Sequence, residues 1–243
     1  MIRAVQQVGL PITTDASLRI MALQKAYGGT AALRLYQGEG GSVAAVCDGQ
    51  MYLQCAPQDA EEWVLFAAMD PMIRRLRTDV QTAQLYAQKV GGTFEQQAVM
   101  QPTNLQINAA TPTQQDATAQ QLWQLLQVGF GDAAPAYDAF YADVSHRMRH
   151  HCFEQRVVRG ENGLLACAMT VAYCDTAAMI GAVATHPDAR RKGYASACVT
   201  QLAASLQGQG KTVYLCPKNP YAERLYLSLG FEIVGQCGIA TAP

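Results

Sequence analysis

One order of elements is written twice along this chain. In the first half, TDASLRIMALQKAYGG reads as a helix, with Thr14 or Asp15 at its start and Gly28-Gly29 at its end. AALRLYQ, SVAAVCD and QMYLQCA follow as three short strands, with GEGG and Asp48-Gly49 as the turns between them. DAEEWVLFAAMD is a short helix opened by acids, IRRLRT a strand, TDVQTAQLYAQKVGG a helix with a glycine stop, and TFEQQAVM a strand. Gln101-Pro102-Thr103-Asn104 is polar and carries a proline, so it marks a boundary between domains at 1–101 and 102–243.

The second half runs through a comparable order. NLQINAA reads as a fresh strand, and TPTQQDATAQQLWQLLQ as a helix with Pro112 near its first turn. VGFGDAAPAY is a loop, and Tyr137 to about His150 a second helix. CFEQRVVRG and LLACAMTVAYC are strands joined at Glu161-Asn162-Gly163, and TAAMIGAVATH is a third. Lys192 to Leu206 is a helix, TVYLC a strand, PYAERLYLSLG a helix and FEIVGQC a strand. The closing units also match locally, TDVQTAQLYAQKVGGTFE against KNPYAERLYLSLGFE. A tandem repeat of one α/β unit explains this; the alternative is that helix-then-strand units converge on Leu, Tyr and Gly.

Composition narrows the classes. The 243 residues are half hydrophobic, enough for one large buried core or two small ones. The formal net charge is −1, and each half is close to neutral: 8 Lys/Arg against 9 Asp/Glu up to Met100, 10 against 10 beyond. No global field draws such a chain to nucleic acid or to an anionic membrane. No apolar run approaches the ~20 residues that span a bilayer, and the N-terminus lacks a secretory pattern. The eight cysteines form no CxxC pair, and most lie inside apolar runs. They read as small buried hydrophobes in a reducing compartment, which makes the cytoplasm the expected location.

The chemistry concentrates in VATHPDARRKGYASA, from Val183 to Ala197. A strand ends at His186-Pro187, where proline removes a ladder donor. A helix follows, and its first turn leaves backbone N–H groups unpaired. Those donors and the helix dipole attract an anion. Gly193 lets a ligand approach the backbone, Ala195 is small, and Arg190, Arg191 and Lys192 add positive charge. A pyrophosphate fits this arrangement, although a basic triplet before a helix is also a common solvated turn. The spacing is neither GxxxxGK[ST] nor GxGxxG.

A second group follows in KNPYAERLYLSLGFEIVG. Asn219 suits the cap of a helix that starts at Pro220. Ala222 and Tyr226 are four apart and share a face; Gly230 ends the helix. Alone, Tyr226 would read as a core tyrosine.

In order and at this spacing, R-x-x-G-x-A after the V-x-x-H-P strand end, then N-x-x-A-x-x-x-Y-x-x-x-G-F, resemble the GNAT superfamily of acyl-CoA-dependent N-acetyltransferases. The resemblance covers Ala178 to Gly235 well and reaches back in element order to about Leu105. The first half resembles the same fold in element order only. PQDAEEWVLFAAM stands where the phosphate motif would be, and its acids would repel a pyrophosphate. The resemblance therefore implies an α/β (α+β) tandem fold, each half a mostly antiparallel mixed sheet flanked by helices, with a degenerate first half.

It further implies that the amides of Arg190, Arg191, Lys192, Gly193, Tyr194 and Ala195 bind the pyrophosphate of acetyl-CoA. The strand at Ala182, Val183, Ala184 and Thr185 would pair with the pantetheine arm, one of its N–H groups polarising the thioester carbonyl. Asn219 would hydrogen-bond that arm. Tyr226, protonated at neutral pH with an ordinary pKa near ~10, would be the general acid.

A base for the acceptor amine is not evident, because MIGAVATH holds no carboxylate. Candidates are Asp143, His146, Glu154, Asp175, His186 and Glu232, with Glu154, on a strand facing the cleft, taken first; a water chain or bulk solvent is the alternative. His146 and His150 share a helix face within HRMRHH, but dipole complementation at a helix end is preferred to a metal pair, and no metal is expected. Arg74, Arg75 and Arg77 read as a solvated face, with contact to a substrate carboxylate as the alternative. The expected reaction is acetyl transfer to a primary amine of a small molecule or peptide, by a monomer or homodimer, with the acceptor chosen by Pro112 to His150. The competing reading is an acyl-CoA-binding or regulatory module without turnover.

Overall fold

Thr14 opens the first long helix because its hydroxyl accepts the Ser17 amide while Ser17 bonds back to the Thr14 amide. The computed structural model describes residues 1–243, and the chain divides into two compact units. One comprises Met1–Val99 together with Ile233–Pro243; the other is Met100–Glu232. The units are therefore not two consecutive pieces of chain cut at 101/102, since the last strand groups with the first residues.

The first unit contains β1 (Arg3–Val5), α1 (Asp15–Tyr27), β2 (Leu33–Gln37), β3 (Val43–Cys47) and β4 (Gln50–Gln54). It continues with α2 (Ala60–Met69), β5 (Arg75–Thr78), α3 (Val80–Val90) and most of β6 (Thr93–Pro102). Strands β1 to β4 form an antiparallel series. The β3–β4 turn is built by Asp48 and Gly49, both at positive φ, as a two-residue hairpin requires. Helix α2 carries the chain over to β5, which runs parallel to β4. Strand β3 is buried on both faces. Val43 and Ala45 pack towards Ile20 of α1, while Ala44 and Val46 join Trp63, Leu76 and Tyr86 under α2 and α3.

The second unit repeats the plan with α4 (Ala119–Phe130), α5 (Tyr137–Arg149), β7 (Gln155–Gly160), β8 (Gly163–Tyr173) and β9 (Ala177–Thr185). Then come α6 (Tyr194–Gly208), β10 (Thr212–Leu215), α7 (Pro220–Ser228) and the start of β11 (Phe231–Thr241), whose residues from Ile233 on belong to the first unit. Strands β7, β8 and β9 are antiparallel, α6 crosses over, and β10 runs parallel to β9. Strand β8 again serves two cores. Ala166 and Ala168 face Cys198, Val199 and Leu202 of α6, while Cys167 and Met169 face Leu122, Leu125 and Leu126 of α4. Alanines and cysteines are small enough to let a helix lie close on either face. All eight cysteines are unbridged.

Several elements differ from expectation. NLQINAA is not a strand: residues 103–118 form an irregular strap whose one ladder contact is Gln114 with Val157. Helix α4 begins at Ala119, not near Pro112, because Thr118 and Gln121 form a reciprocal capping box. Arg77 is not solvated. It is buried on β5 and its guanidinium donates to the Asp15 carboxylate, which also accepts from Arg19 at 3.0 Å. Strand β11 extends to Thr241, past the expected FEIVGQC, and pairs Gly238–Thr241 with β5 in the first unit.

Candidate active site

Strands β9 and β10 part company midway. Their pairing covers Ala177–Ile180 against Thr212–Leu215, where β10 ends. Strand β9 runs on to Thr185, so its edge towards β10 carries no strand partner from Gly181 onward. On its other side β9 stays paired with β8, but the register shifts: Met169 faces Gly181 and Cys167 faces Ala184. Three residues of β9 thus oppose two of β8, which is a bulge. Ala182 sits in it at φ 45°, a left-handed conformation that a residue with a Cβ adopts at some cost. Gly181 is required beside it, because a Cβ there would meet the Val171 methyls at 2.8 Å. An extended ligand bearing amide groups can pair with such an open edge as an added strand does.

The loop after β9 ends at a bare helix terminus. Pro187–Ala189 makes one tight turn, and His186 Nδ1 accepts from the Asp188 amide at 3.4 Å. Arg191 has φ 63° and Gly193 φ 78°, while Lys192 between them is not left-handed. Alternation of this kind turns successive amides to one side, as in an anion-binding nest. Gly193 occupies the cap position of α6 and offers no side chain to the first-turn amides. A serine or aspartate there would consume those donors; glycine leaves them to a ligand. Arg191, Lys192 and Gly193 are exposed, and Tyr194 and Ala195 half-buried. The Arg190 guanidinium reaches the Gly129 carbonyl at the end of α4 at 3.3 Å. Gly129 in turn lies against β9, where a Cβ would stand 3.3 Å from that of Ala184. Neither contact was foreseen, since a glycine near a helix end has many uses.

Asn219 caps α7, its side chain accepting from the Ala222 amide at 2.9 Å. The cap uses the oxygen and leaves the amide nitrogen as the donor. About two turns beyond the cap, the Tyr226 ring is buried in the same cluster as Phe231, and Val183, Tyr194 and Ala222 pack against that cluster. Residues from both sequence motifs therefore meet. The Tyr226 hydroxyl makes no hydrogen bond to protein, and it is not a sealed-off atom, since Gln155 Oε1 alone is buried without a partner. Burial pushes its pKa up to about 12.

Glu154 lies elsewhere. It precedes β7 instead of lying on it, and its carboxylate accepts from Gln209 at 2.8 Å. Gln209 is at the far end of α6 from Gly193, about 24 Å along the helix axis at 1.5 Å per residue. Asp143 is engaged by Arg147 at 2.7 Å. The His146 and His150 rings stack 4.2 Å apart at the end of α5.

The first unit has no counterpart to the cradle. Helix α2 begins with Asp59 at its cap and Glu61 and Glu62 in its first turn. Asp59 accepts from the Ser42 hydroxyl at 2.5 Å. Three carboxylates stand where a phosphate would have to come.

Comparison with known proteins bears on the fold. The FR47-like protein family model matches residues 158–238, a third of the chain that spans both motifs. No curated protein matches. Among solved structures, a GCN5-related N-acetyltransferase from Kribbella flavida has 17% identity and a TM-score of 0.66, over 96% of this chain and 97% of that one. A GCN5-related N-acetyltransferase-like protein from Streptococcus suis has 15% identity and a TM-score of 0.58, covering 88% and 90%. A tandem GNAT protein from the clavulanic acid biosynthesis pathway has 12% identity and a TM-score of 0.57, covering 100% and 98%. At these identities the likeness shows the fold. The chain has the tandem GNAT fold, with a first half that lacks the phosphate cradle. No helix is long and apolar enough to cross a membrane.

Proposed function

We propose that the second unit is an N-acetyltransferase that moves an acetyl group directly from acetyl-CoA to a primary amine of a small molecule or peptide. The observation that carries this reading is the pairing of an open β9 edge with the uncapped terminus of α6. One takes an extended amide-bearing arm, and the other takes a pyrophosphate. Arg191 and Lys192 supply rim charge. The amide nitrogen of Asn219 holds the arm, and an N–H at the Ala182 bulge polarises the thioester carbonyl.

Acetyl-CoA supplies the activated acyl group. The amine nitrogen attacks the carbonyl carbon, a C–N bond forms, the C–S bond breaks, and the sulfur departs with the bonding electrons. Tyr226 keeps its proton at neutral pH because its pKa is about 12. A tyrosinate in that buried place is costly, so Tyr226 serves first as a hydrogen-bond donor to the developing thiolate. Water takes the proton from the amine nitrogen, because Glu154 is tied to the opposite end of α6.

The missing carboxylate on β9 favours one rival, an acyl-CoA-binding module without turnover. Thiol release from acetyl-CoA across an amine panel separates the two. Turnover that collapses in Tyr226→Phe is expected. Tight CoA binding with no thiol release on any amine would establish the module instead, and no binding would end both readings.

A further inference from the structure

Residues 103–118 form an unusually long connection without regular structure, and such connections are seldom idle. The strap touches, in order, both halves of the proposed cofactor site. It starts at the end of α7, the helix that carries Tyr226. There the Thr103 and Asn104 amides donate to the Gly230 carbonyl at 3.0 and 3.1 Å, and the Gln106 amide to Leu229 at 2.9 Å. It then crosses α6. The Asn108 amide donates to the buried Thr200 hydroxyl at 3.1 Å. The Gln201 side-chain nitrogen donates to the carbonyls of Asn108 and Thr111 at 2.7 and 2.8 Å, and its oxygen accepts from Thr113 at 2.6 Å.

These bonds deliver the Asn108 side chain to the cap of α6. Its Oδ1 accepts from the Ala110 amide at 3.2 Å, closing a local turn that fixes the group. Its Nδ2 donates to the Gly193 carbonyl at 3.4 Å. That carbonyl also accepts the first helical bond, from the Ala197 amide at 3.0 Å. Gly193 is the residue least able to hold its own conformation, and it has no side chain to organise the cap. A conventional cap residue would define the turn but occupy the first-turn amides. Asn108 defines it from outside and leaves them unused.

We propose that Asn108 is a positioning residue for the phosphate cradle, and that the strap exists to hold it there. The inference rests on the acyl-CoA reading above, and the test keeps the two apart. Affinity for CoA is measured by titration on the full-length protein, alongside steady-state acetyl transfer if turnover is found. Asn108→Ala is expected to weaken CoA binding about three- to ten-fold, the worth of one neutral hydrogen bond, with KM for acetyl-CoA rising and kcat little changed. Asn108→Asp keeps the acceptor that closes the turn, loses the donor, and brings a carboxylate to the cradle; it is expected to bind CoA more weakly than Asn108→Ala. A purely structural role predicts the reverse order, with Asp nearer wild type, and that order overturns the proposal. So does a CoA affinity unchanged in Asn108→Ala. If that variant does not fold, Thr113→Ala, which releases the strap from Gln201, is expected to weaken CoA binding in the same direction by less; no change overturns the proposal. Wild-type protein that does not bind CoA would overturn the acyl-CoA reading and this inference with it.

Discussion

Tyr226 carries its proton because of where its ring sits. Desolvation holds the pKa at about 12, and no protein group bonds the hydroxyl. Tyr226→Phe keeps the packed ring and loses the donor. It should lower the thiol-release rate by about 10²-fold or more while leaving the CoA-induced rise in melting temperature intact. A variant as active as wild type would remove Tyr226 from the chemistry. Burial acts in the same sense on Cys167 and Cys198, whose thiols are pushed up to about 12. Both should resist iodoacetamide at pH 8 in the native protein and react once it is unfolded, as peptide mass mapping would show, because the thiolate is the nucleophile. The places of Gly193 at the start of α6 and of Tyr226 on α7 were legible in the sequence, since spacing there is tied to local helix geometry. The misplacement of Glu154 has a physical reason. A side chain next to a strand has two faces and two ends available, and the choice depends on Gln209 and Tyr173, which arrive from distant elements.

Between elements, the strap at residues 103–118 bonds to α6 and α7, and β9 runs on past the end of β10. Helices announced themselves through caps, as Thr14 and Asn219 do, whereas the Thr118 cap went unread behind Pro112. Strands with alternating small residues did so through turns such as Asp48-Gly49. NLQINAA misled because its alternation fits a strand, whereas its backbone groups are satisfied by Thr200, Gln201 and Gly230 instead of a ladder. Side-chain partners of that kind leave no period in the sequence. Gly230 shows how tightly the strap is seated. It has φ 86°, and a Cβ there would fall 1.8 Å from the Asn104 carbonyl oxygen. Backbone, not a flexible side chain, blocks the way. Gly230→Ala should therefore cost roughly 2 kcal/mol or more. Denaturant unfolding would read this as a lower midpoint, and an unchanged midpoint would mean that the strap yields freely.

For the whole molecule, near-neutral charge left the fold to burial, and the repeated element order made two similar units readable in advance. What the order did not reveal is that the chain's last strand belongs with its first residues. The reason lies in pairing: Gly238–Thr241 align with Arg75–Thr78, and Ile239 and Ala240 are buried there. The same unit holds the buried Asp15 carboxylate. Its burial opposes ionisation most strongly, but Arg19 and Arg77 together outweigh that, and the pKa is held below the ordinary 3.8. A lowered carboxylate stabilises the fold above its unfolded pKa, and that stabilisation is lost as pH falls through the lower folded value. Thermal stability should thus decline below about pH 4, and Asp15→Asn should lower stability at pH 7 by roughly 3–5 kcal/mol while flattening the acid limb. Truncation after Glu232 tests the connectivity directly. Removing Ile233–Pro243 strips β5 of its antiparallel partner and takes the buried Cys237, Ile239 and Ala240 out of the core. Amide exchange should then accelerate first at Arg75–Thr78, at least 160 residues earlier in the chain than their partners Gly238–Thr241. Protection retained at those amides would show that the first unit holds its sheet without the C-terminal strand.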